Sequence, residues 1–266
     1  MYPYLDKLNF PTKVGCYYEP FLGGGGLYKY FIEKLTWNRA VISDAQTDLM
    51  LTMKAIKKAP LLVGKKLKQM ASLHDKEYYY RVRARFNRKM EQDIGLNRAI
   101  MFLYMNAKCF NGLCRYNKNG GFNSPIHPSD HMKRKVPTIT ILREWSKLLQ
   151  RALLATCDFR SLFENYPPLQ GDFVVLDPPY VPYSITSNFT SYTAEGFEYR
   201  EQKALADLCS GFNTRGVKFI AFNHDVEAVR NLYGGFNFLR VMTKRRIGNK
   251  AKSKSREVYE LIITNF

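Results

Sequence analysis

The chain is 266 residues long, carries a formal net charge of +18, and is 45% hydrophobic and 14% aromatic. That length holds one large α/β domain, or a core with an inserted lobe, but not two independent domains. The apolar content excludes general disorder, and so large a positive charge points to a polyanion as partner. No apolar run approaches the ~20 residues of a membrane-spanning helix, and Met1-Tyr2-Pro3-Tyr4 lacks the basic-then-apolar form of a signal peptide, so a cytoplasmic protein without membrane association is expected. Cys16, Cys109, Cys114, Cys157 and Cys209 form an odd set without C-x-x-C spacing, which argues for reduced thiols and against a zinc site.

The first dense signal is Cys16-Tyr17-Tyr18-Glu19-Pro20-Phe21-Leu22, which runs into Gly23-Gly24-Gly25-Gly26 and then the helix-like Leu27-Tyr28-Lys29-Tyr30-Phe31. Strand, glycine loop and helix in that order let a ligand approach the backbone closely. The glycines do not have G-x-G-x-x-G spacing, and the lysine of a phosphate-gripping P-loop is absent after Gly26. A second strand, Ala40-Val41-Ile42-Ser43, ends on Asp44 about twenty residues after the glycines, the spacing at which a carboxylate accepts from ribose hydroxyls. A helix-capping role for Asp44 explains the same residue as well when it is taken alone.

From Met53 to Met90 twelve Lys or Arg stand against two acids, Asp75 and Glu77. Tyr78, Tyr79, Tyr80 and Phe86 fall among them at helical spacings, which predicts helices with an apolar seam and a basic outer face. A helix over Asn97 to Asn106 leads into Phe110-Asn111-Gly112-Leu113-Cys114-Arg115-Tyr116-Asn117 and on to Gly120-Gly121-Phe122-Asn123-Ser124-Pro125, a loop or hairpin. Arg115 can pair bidentately with guanine, Asn111 or Asn117 with adenine, and Leu113 or Pro125 can meet a thymine methyl. Phe110 can fill a stack from which a base has been extruded. A Gly/Asn surface turn accounts for the glycines but not for the rest. His127 and His131 flank Asp130 without a further ligand nearby, so solvated loop histidines are favoured over a metal site.

Beyond Val136 the pattern returns to helix (about Ile141 to Arg151) and strand (Leu153 to Cys157), followed by Asp158-Phe159. These two can hold an adenine by its amine and its face; capping of the next helix by Asp158 is the competing account. The apolar run Phe173-Val174-Val175-Leu176 then ends on Asp177-Pro178-Pro179-Tyr180. Open α/β sheets place ligands beyond the carboxyl ends of their strands, and two prolines freeze the backbone and remove two donors. A carboxylate and a fixed carbonyl suit an aromatic exocyclic amine, whose delocalised lone pair needs acceptors on its N–H bonds rather than a strong base. Tyr180 supplies a flat face for the base. Ser184 to Thr193 reads as a loop over the site, Phe197 to Phe212 as a crossover helix, and Val217 to Phe222 as a strand parallel to its predecessor. The C-terminal segment reads as a hairpin whose connection, Thr243 to Arg256 with seven basic residues including Lys250 and Lys252, meets phosphates.

Glu19-Pro20-Phe21 with the glycines, Asp44, Asn111 to Asn117, Pro125, Asp177 to Tyr180, Asn188-Phe189-Thr190 and Asn223-His224-Asp225 occur in the order of a known family. Over nearly its whole length the chain resembles the DNA adenine methyltransferases of the Dam type, the D12 class of N6-adenine methyltransferases, which commonly act at GATC. The resemblance implies a Rossmann-like class I methyltransferase sheet with an inserted, mainly helical DNA-recognition lobe and a C-terminal β-hairpin. Residues 1–52 and 138–266 would form the catalytic domain and 53–137 the recognition lobe. S-adenosylmethionine would be the cofactor, held by Glu19, Phe21, Gly23, Gly25, Asp44, Asp158, Phe159 and Asp177. Asp177, Pro178, Pro179 and Tyr180 would hold a flipped adenine in a monomeric enzyme on double-stranded DNA. Arg115 would recognise guanine, Leu113 with Pro125 the thymine region, and Phe110 with Asn111 would occupy the vacated stack. Family members typically begin with a Trp-x-Gly-Gly-Lys-like stretch over the cofactor, where this sequence begins Met1-Tyr2-Pro3-Tyr4; Ile126-His127-Pro128-Ser129 also lacks the family's aromatic and basic run. The alternatives are a DNA-binding homologue that has lost catalysis and a methyltransferase acting on another base or site.

Overall fold

The computed structural model describes residues 2–88, 93–128, 135–183, 197–246 and 255–266. The chain divides into two compact units, Met1–Ser43 with Asp158–Phe266, and Asp44–Cys157. The second is wider than the 53–137 lobe drawn from the sequence, because the helix over residues 47–58 packs on the helix and strand that follow residue 138.

A mixed seven-stranded sheet runs in the order β3-β2-β1-β4-β5-β7-β6, with β1 Lys13–Glu19, β2 Thr36–Asp44, β3 Ala152–Thr156, β4 Phe173–Leu176, β5 Lys218–His224, β6 Asn237–Arg246 and β7 Ser255–Thr264. This is the α/β sheet that the sequence predicts. β4 pairs in parallel with β1, with Tyr17 opposite Phe173, and with β5, with Leu176 opposite Ala221. All four residues of β4 are fully buried. A parallel strand covered on both faces must be apolar throughout, and that is why Phe173 to Leu176 shows no alternation. β7 runs antiparallel to both β5 and β6, so the expected C-terminal hairpin is present.

In the first unit, α2 (Gly26–Ile32) follows β1, α8 (Phe159–Asn165) precedes β4, and α9 (Tyr199–Thr214) crosses from β4 to β5. The short helices α1 (Tyr2–Leu5) and α10 (Glu227–Leu232) complete it. The strand order reverses between β1 and β4, and the crevice beyond their carboxyl ends is where such sheets bind ligands. The start of that junction is locked by Asp172, whose carboxylate accepts from the Cys16 N–H at 2.8 Å and the Leu169 N–H at 2.9 Å. A Cβ on Gly15 would sit 2.8 Å from that carboxylate, so only glycine lets the two approach.

The second unit contains α3 (Thr47–Lys58), α4 (Pro60–Ser72), α5 (Lys76–Arg88), α6 (Leu96–Lys108) and α7 (Ile139–Leu149). Its core joins Tyr79, Val82 and Phe86 of α5 to Met101, Phe102, Tyr104 and Met105 of α6, with Cys109 and Phe122. The apolar seam expected of the basic segment is therefore present. Part of its charge is paired within the unit, however. Arg85 forms a bidentate pair with buried Asp93 at 2.6–3.0 Å, and Arg83 donates to the Ser124 carbonyl at 3.1 Å. Cys16, Cys109 and Cys209 are buried thiols, whereas Cys114 and Cys157 are half-buried.

Candidate functional site

The candidate site residues of the first unit lie at the carboxyl ends of its strands, among them β1, β4 and β5. After β1, Gly23 and Gly25 adopt φ of 50° and 74°, left-handed conformations that explain why glycines stand there. The loop is pinned by the Leu22 N–H to the Ser43 carbonyl and by the Gly25 N–H to the Leu22 carbonyl. A Cβ built on Gly23 or Gly24 meets no atom within 4 Å, so the outer side of this loop is open to a ligand. Glu19 is fully buried and accepts from the Tyr17 hydroxyl. Burial, and after it the Glu19 charge, push the Tyr17 phenol well above its ordinary pKa, so it remains a donor.

Phe21, Phe159 and Phe197 form one aromatic cluster, with centroids 5.6–5.9 Å apart. Phe159 is only 2% exposed, and the Arg160 guanidinium lies 4.6 Å from its ring centroid. The ring surface left open belongs to half-buried Phe21 and Phe197, and Phe159 serves as their backing. Asp158 caps α8, with its Oδ1 accepting from the Ser161 N–H at 2.9 Å. Asp44 behaves similarly: its Oδ1 accepts from the Gln46 N–H at 2.8 Å, while Gln46 itself caps α3. Capping and turn-making thus use one oxygen of each carboxylate.

The segment after β4 is clamped from below. Pro179 presents its carbonyl to the Gln202 side-chain amide at 2.7 Å, and Gln202 accepts from Asn223 at 3.1 Å. Asn223 in turn accepts from the N–H groups of Val181 and His224, both at 2.9 Å. His224 Nδ1 lies 2.6 Å from the Val181 carbonyl, which can only accept, so the proton is on Nδ1. The Tyr180 ring stands perpendicular to His224 at 4.9 Å, and Tyr183 stacks on the same imidazole at 4.0 Å. Among the described residues no hydrogen bond reaches the Pro178 carbonyl; Pro178 is buried and the preceding Asp177 is half-buried.

Gln202 escaped the sequence reading, and Asn223 entered it only within Asn223-His224-Asp225, without a role. Gln202 recurs with Leu205, Ala206, Cys209 and Phe212 on the buried face of α9, and a polar side chain in an apolar helical stripe is the signal that would have found it. Asn223→Ala is expected to strand the buried N–H of Val181, at about 1–3 kcal/mol per unsatisfied group, and to lower kcat while DNA affinity stays the same. Thermal unfolding and filter binding check the two halves of that outcome.

In the second unit, the chain from Cys109 to Ile126 folds back on itself as a ribbon. Antiparallel bridges join Cys109 to Ile126 and Tyr116 to Phe122, and the Asn123 N–H donates to the Arg115 carbonyl at 2.9 Å. From Asn111 to Asn117 exposure alternates with period two. Asn111, Leu113, Arg115 and Asn117 are exposed, and Gly112, Cys114 and Tyr116 are turned inward. On the returning limb Asn123 and Pro125 are exposed while Phe122 and Ser124 are buried. An extended strand sends alternate side chains to opposite faces, so Leu113 and Arg115 share one outward face, while Asn111 is exposed from the 3-10 turn before them. Among the described residues no acceptor holds the Arg115 guanidinium. Phe110 begins a 3-10 turn and stacks on His127 at 5.8 Å, and Asn111 takes the left-handed φ of 53°. Asn117 differs from the others: its side-chain oxygen accepts from the N–H groups of Asn119 and Gly121 and shapes the ribbon's tip, leaving only its NH₂ for a base. Lys250, Lys252, His131, Asp130 and the Ser184 to Thr193 segment lie outside the described residues.

Residues 7–247 match the model of the D12 class N6 adenine-specific DNA methyltransferases. The chain belongs to that family. Its relatives include the type II methyltransferase M.MjaIII of Methanocaldococcus jannaschii, 35% identical over 94% of this chain and 88% of that protein. The DNA adenine methylase of Haemophilus influenzae is 31% identical over 97% of this chain and 87% of its own length. The type II methyltransferase M1.LlaDCHI of Lactococcus lactis is 31% identical over 99% of this chain and 90% of its own. As a D12 class enzyme the chain is an adenine-specific DNA methyltransferase, with S-adenosylmethionine as methyl donor. The open glycine loop and the half-buried Phe21 and Phe197 rings fit a nucleoside-bearing cofactor. No helix among the described residues is long and apolar enough to cross a membrane.

Proposed function

We propose that this enzyme extrudes an adenine from duplex DNA and methylates its N6 amine within GATC sites. The observation that carries the reading is the clamped Asp177-Pro178-Pro179-Tyr180 segment. Gln202 and Asn223 take up the Pro179 carbonyl and the Val181 N–H, while no hydrogen bond among the described residues takes up the Pro178 carbonyl that follows Asp177 in the chain. When bound, S-adenosylmethionine supplies the methyl group as an electrophilic carbon on a sulfonium. The chain's own residues prepare the other reactant. Asp177 and the Pro178 carbonyl accept the two N–H bonds of the exocyclic amine, which draws the nitrogen lone pair out of conjugation with the ring and aims it at the methyl. As the nitrogen becomes positive its N–H bonds strengthen toward the carboxylate, so the interaction grows along the reaction. Tyr180, its plane fixed by His224, stacks on the extruded base.

Glu19 holds the end of β1 in place, and Gly23 and Gly25 let the cofactor approach the backbone. Phe21 offers a ring face backed by Phe159, and Asp44 and Asp158 are assigned to cofactor hydroxyl or amine groups. The domains assigned to these roles are residues 1–52 with 138–266 for catalysis and 53–137 for recognition. On the ribbon, Arg115 is assigned to guanine, Leu113 and Pro125 to the thymine methyl region, Phe110 and Asn111 to the gap left by the flipped base, and Asn117 to the flank; Lys250 and Lys252 meet phosphates.

The test is transfer of labelled methyl to duplexes with and without a single GATC. Label confined to the GATC duplex supports the whole reading, label on both retains methylation but not the site, and label on neither contradicts it. Arg115→Ala is expected to reduce discrimination at one base pair by about 1–3 kcal/mol while non-specific affinity changes little. Competition between duplexes altered singly at each position measures it, and an equal loss on all duplexes would move Arg115 to a phosphate.

A further inference from the structure

Three polar side chains of α5 are spaced four residues apart, at Tyr79, Arg83 and Asn87, and therefore lie on one face of the helix. All three reach the backbone of the ribbon's returning limb. Tyr79 donates its hydroxyl to the Ser124 carbonyl at 2.9 Å, and Arg83 donates to the same carbonyl at 3.1 Å. Asn87 makes the most informative contact. Its side-chain oxygen accepts from the Phe122 N–H at 2.9 Å, and its NH₂ donates to the Phe122 carbonyl at 3.0 Å. A primary amide that satisfies both backbone groups of one residue does what a neighbouring strand would do.

Phe122 is the residue bridged to Tyr116 across the ribbon, and its neighbour Asn123 donates to the Arg115 carbonyl. The first limb is held separately by Asn106 of α6, whose NH₂ donates to the Gly112 carbonyl at 2.9 Å. Because the two faces of an extended strand exchange with a shift of one residue, whatever fixes Phe122 inward also fixes Asn123 and Arg115 outward.

We infer that Asn87 is a positioning residue for base recognition: it holds the ribbon in the register that aims Arg115 at its base, and Tyr79 and Arg83 support it. The inference rests on the ribbon being the base-reading element. Asn87 touches neither DNA nor cofactor in this role, so its loss is felt as lost selectivity and not as lost methyl transfer.

The experiment compares Asn87→Ala, Arg115→Ala and the double variant in the full-length enzyme, with kcat and KM measured on a GATC duplex and on duplexes changed at one position. Asn87→Ala is expected to lower the cognate-to-altered ratio of kcat/KM by about tenfold, the lower end of what a well-placed bidentate base contact contributes, with kcat on the GATC duplex kept. In the Arg115→Ala background the same substitution should change the ratio by less than about twofold, since coupled residues are not additive. Should the alanine variant not fold, Asn87→Asp substitutes: it keeps the acceptor for the Phe122 N–H, loses the donor, and is expected to lose selectivity in the same direction. A folded Asn87 variant with selectivity intact, beside an Arg115→Ala that has lost it, overturns the positioning role alone. Selectivity intact in both overturns the base-reading assignment of the ribbon and the positioning role with it.

Discussion

Asp177→Ala is expected to lower methyl transfer by at least about 10²–10³-fold in kcat, the effect of deleting one preorganised polar group aimed at developing charge, while DNA affinity stays within about twofold. The size follows from the weakness of the nucleophile. The adenine amine shares its lone pair with the ring, and only acceptors that bind more tightly as the nitrogen turns positive favour the reaction itself. The Pro178 carbonyl remains in Asp177→Ala, but one neutral acceptor cannot replace a carboxylate, since hydrogen bonds to a charged partner are roughly twice as strong. Affinity for DNA should survive because the basic surface and the ribbon that supply it do not involve Asp177. Single-turnover transfer and equilibrium binding on the same duplex separate the two effects. A variant that keeps transfer would remove Asp177 from the chemistry, and one that loses binding and transfer in proportion would make it a structural residue.

The sheet was legible because its strands announce themselves in two ways. The fully apolar run of β4 can only be a strand covered on both faces, and β1, β2 and β4 each end on a carboxylate or the start of a conspicuous loop. The ribbon was legible as a loop or hairpin, but the alternation of outward Asn111, Leu113, Arg115 and Asn117 with inward Gly112, Cys114 and Tyr116 was not read from the sequence. What the sequence could not display is which polar groups bond to which backbone. Asn117 looks like a base reader but spends its oxygen on its own turn, and Phe159 looks like an exposed ring but stands behind Phe21. Gln202, Asn87 and Asp48 were passed over for the opposite reason. Each is a polar residue on an amphipathic helix, and only the fold reveals which partners, distant in sequence, it meets. Within the basic segment, Arg83 and Arg85 also bond to groups of the unit itself, pairings the sequence does not display.

Asp48 makes the strongest stability prediction. Its side chain is 8% exposed and that of Arg98 15%, and the two meet through Nε at 2.5 Å and Nη2 at 3.1 Å. Arg98 also donates to the Phe86 carbonyl and lies 3.8 Å from the centroid of that ring, while Tyr116 of the ribbon donates its hydroxyl to Asp48 at 2.8 Å. Burial, followed by the Asp48 charge, raises the Tyr116 phenol far above its ordinary pKa, so it donates at every working pH. Asp48→Ala leaves a mostly buried guanidinium without its counter-charge, which costs about 3–5 kcal/mol. In a chain of this size that is a fall in Tm on the order of 10 °C. Replacing both partners removes the unpaired charge, so Asp48→Ala with Arg98→Met should recover part of the loss. Tyr116→Phe should cost less, about 1.5–3 kcal/mol, because it removes one hydrogen bond to a charge and leaves the ion pair whole. Differential calorimetry on the four proteins gives the comparison. If the double variant is less stable than Asp48→Ala, the pair contributes through packing and not through charge. If it is more stable than the wild type, the pair costs stability to retain, and its use is to tie α3, α6 and the ribbon together, so that the loss of Asp48 would also blur the discrimination assigned to Arg115.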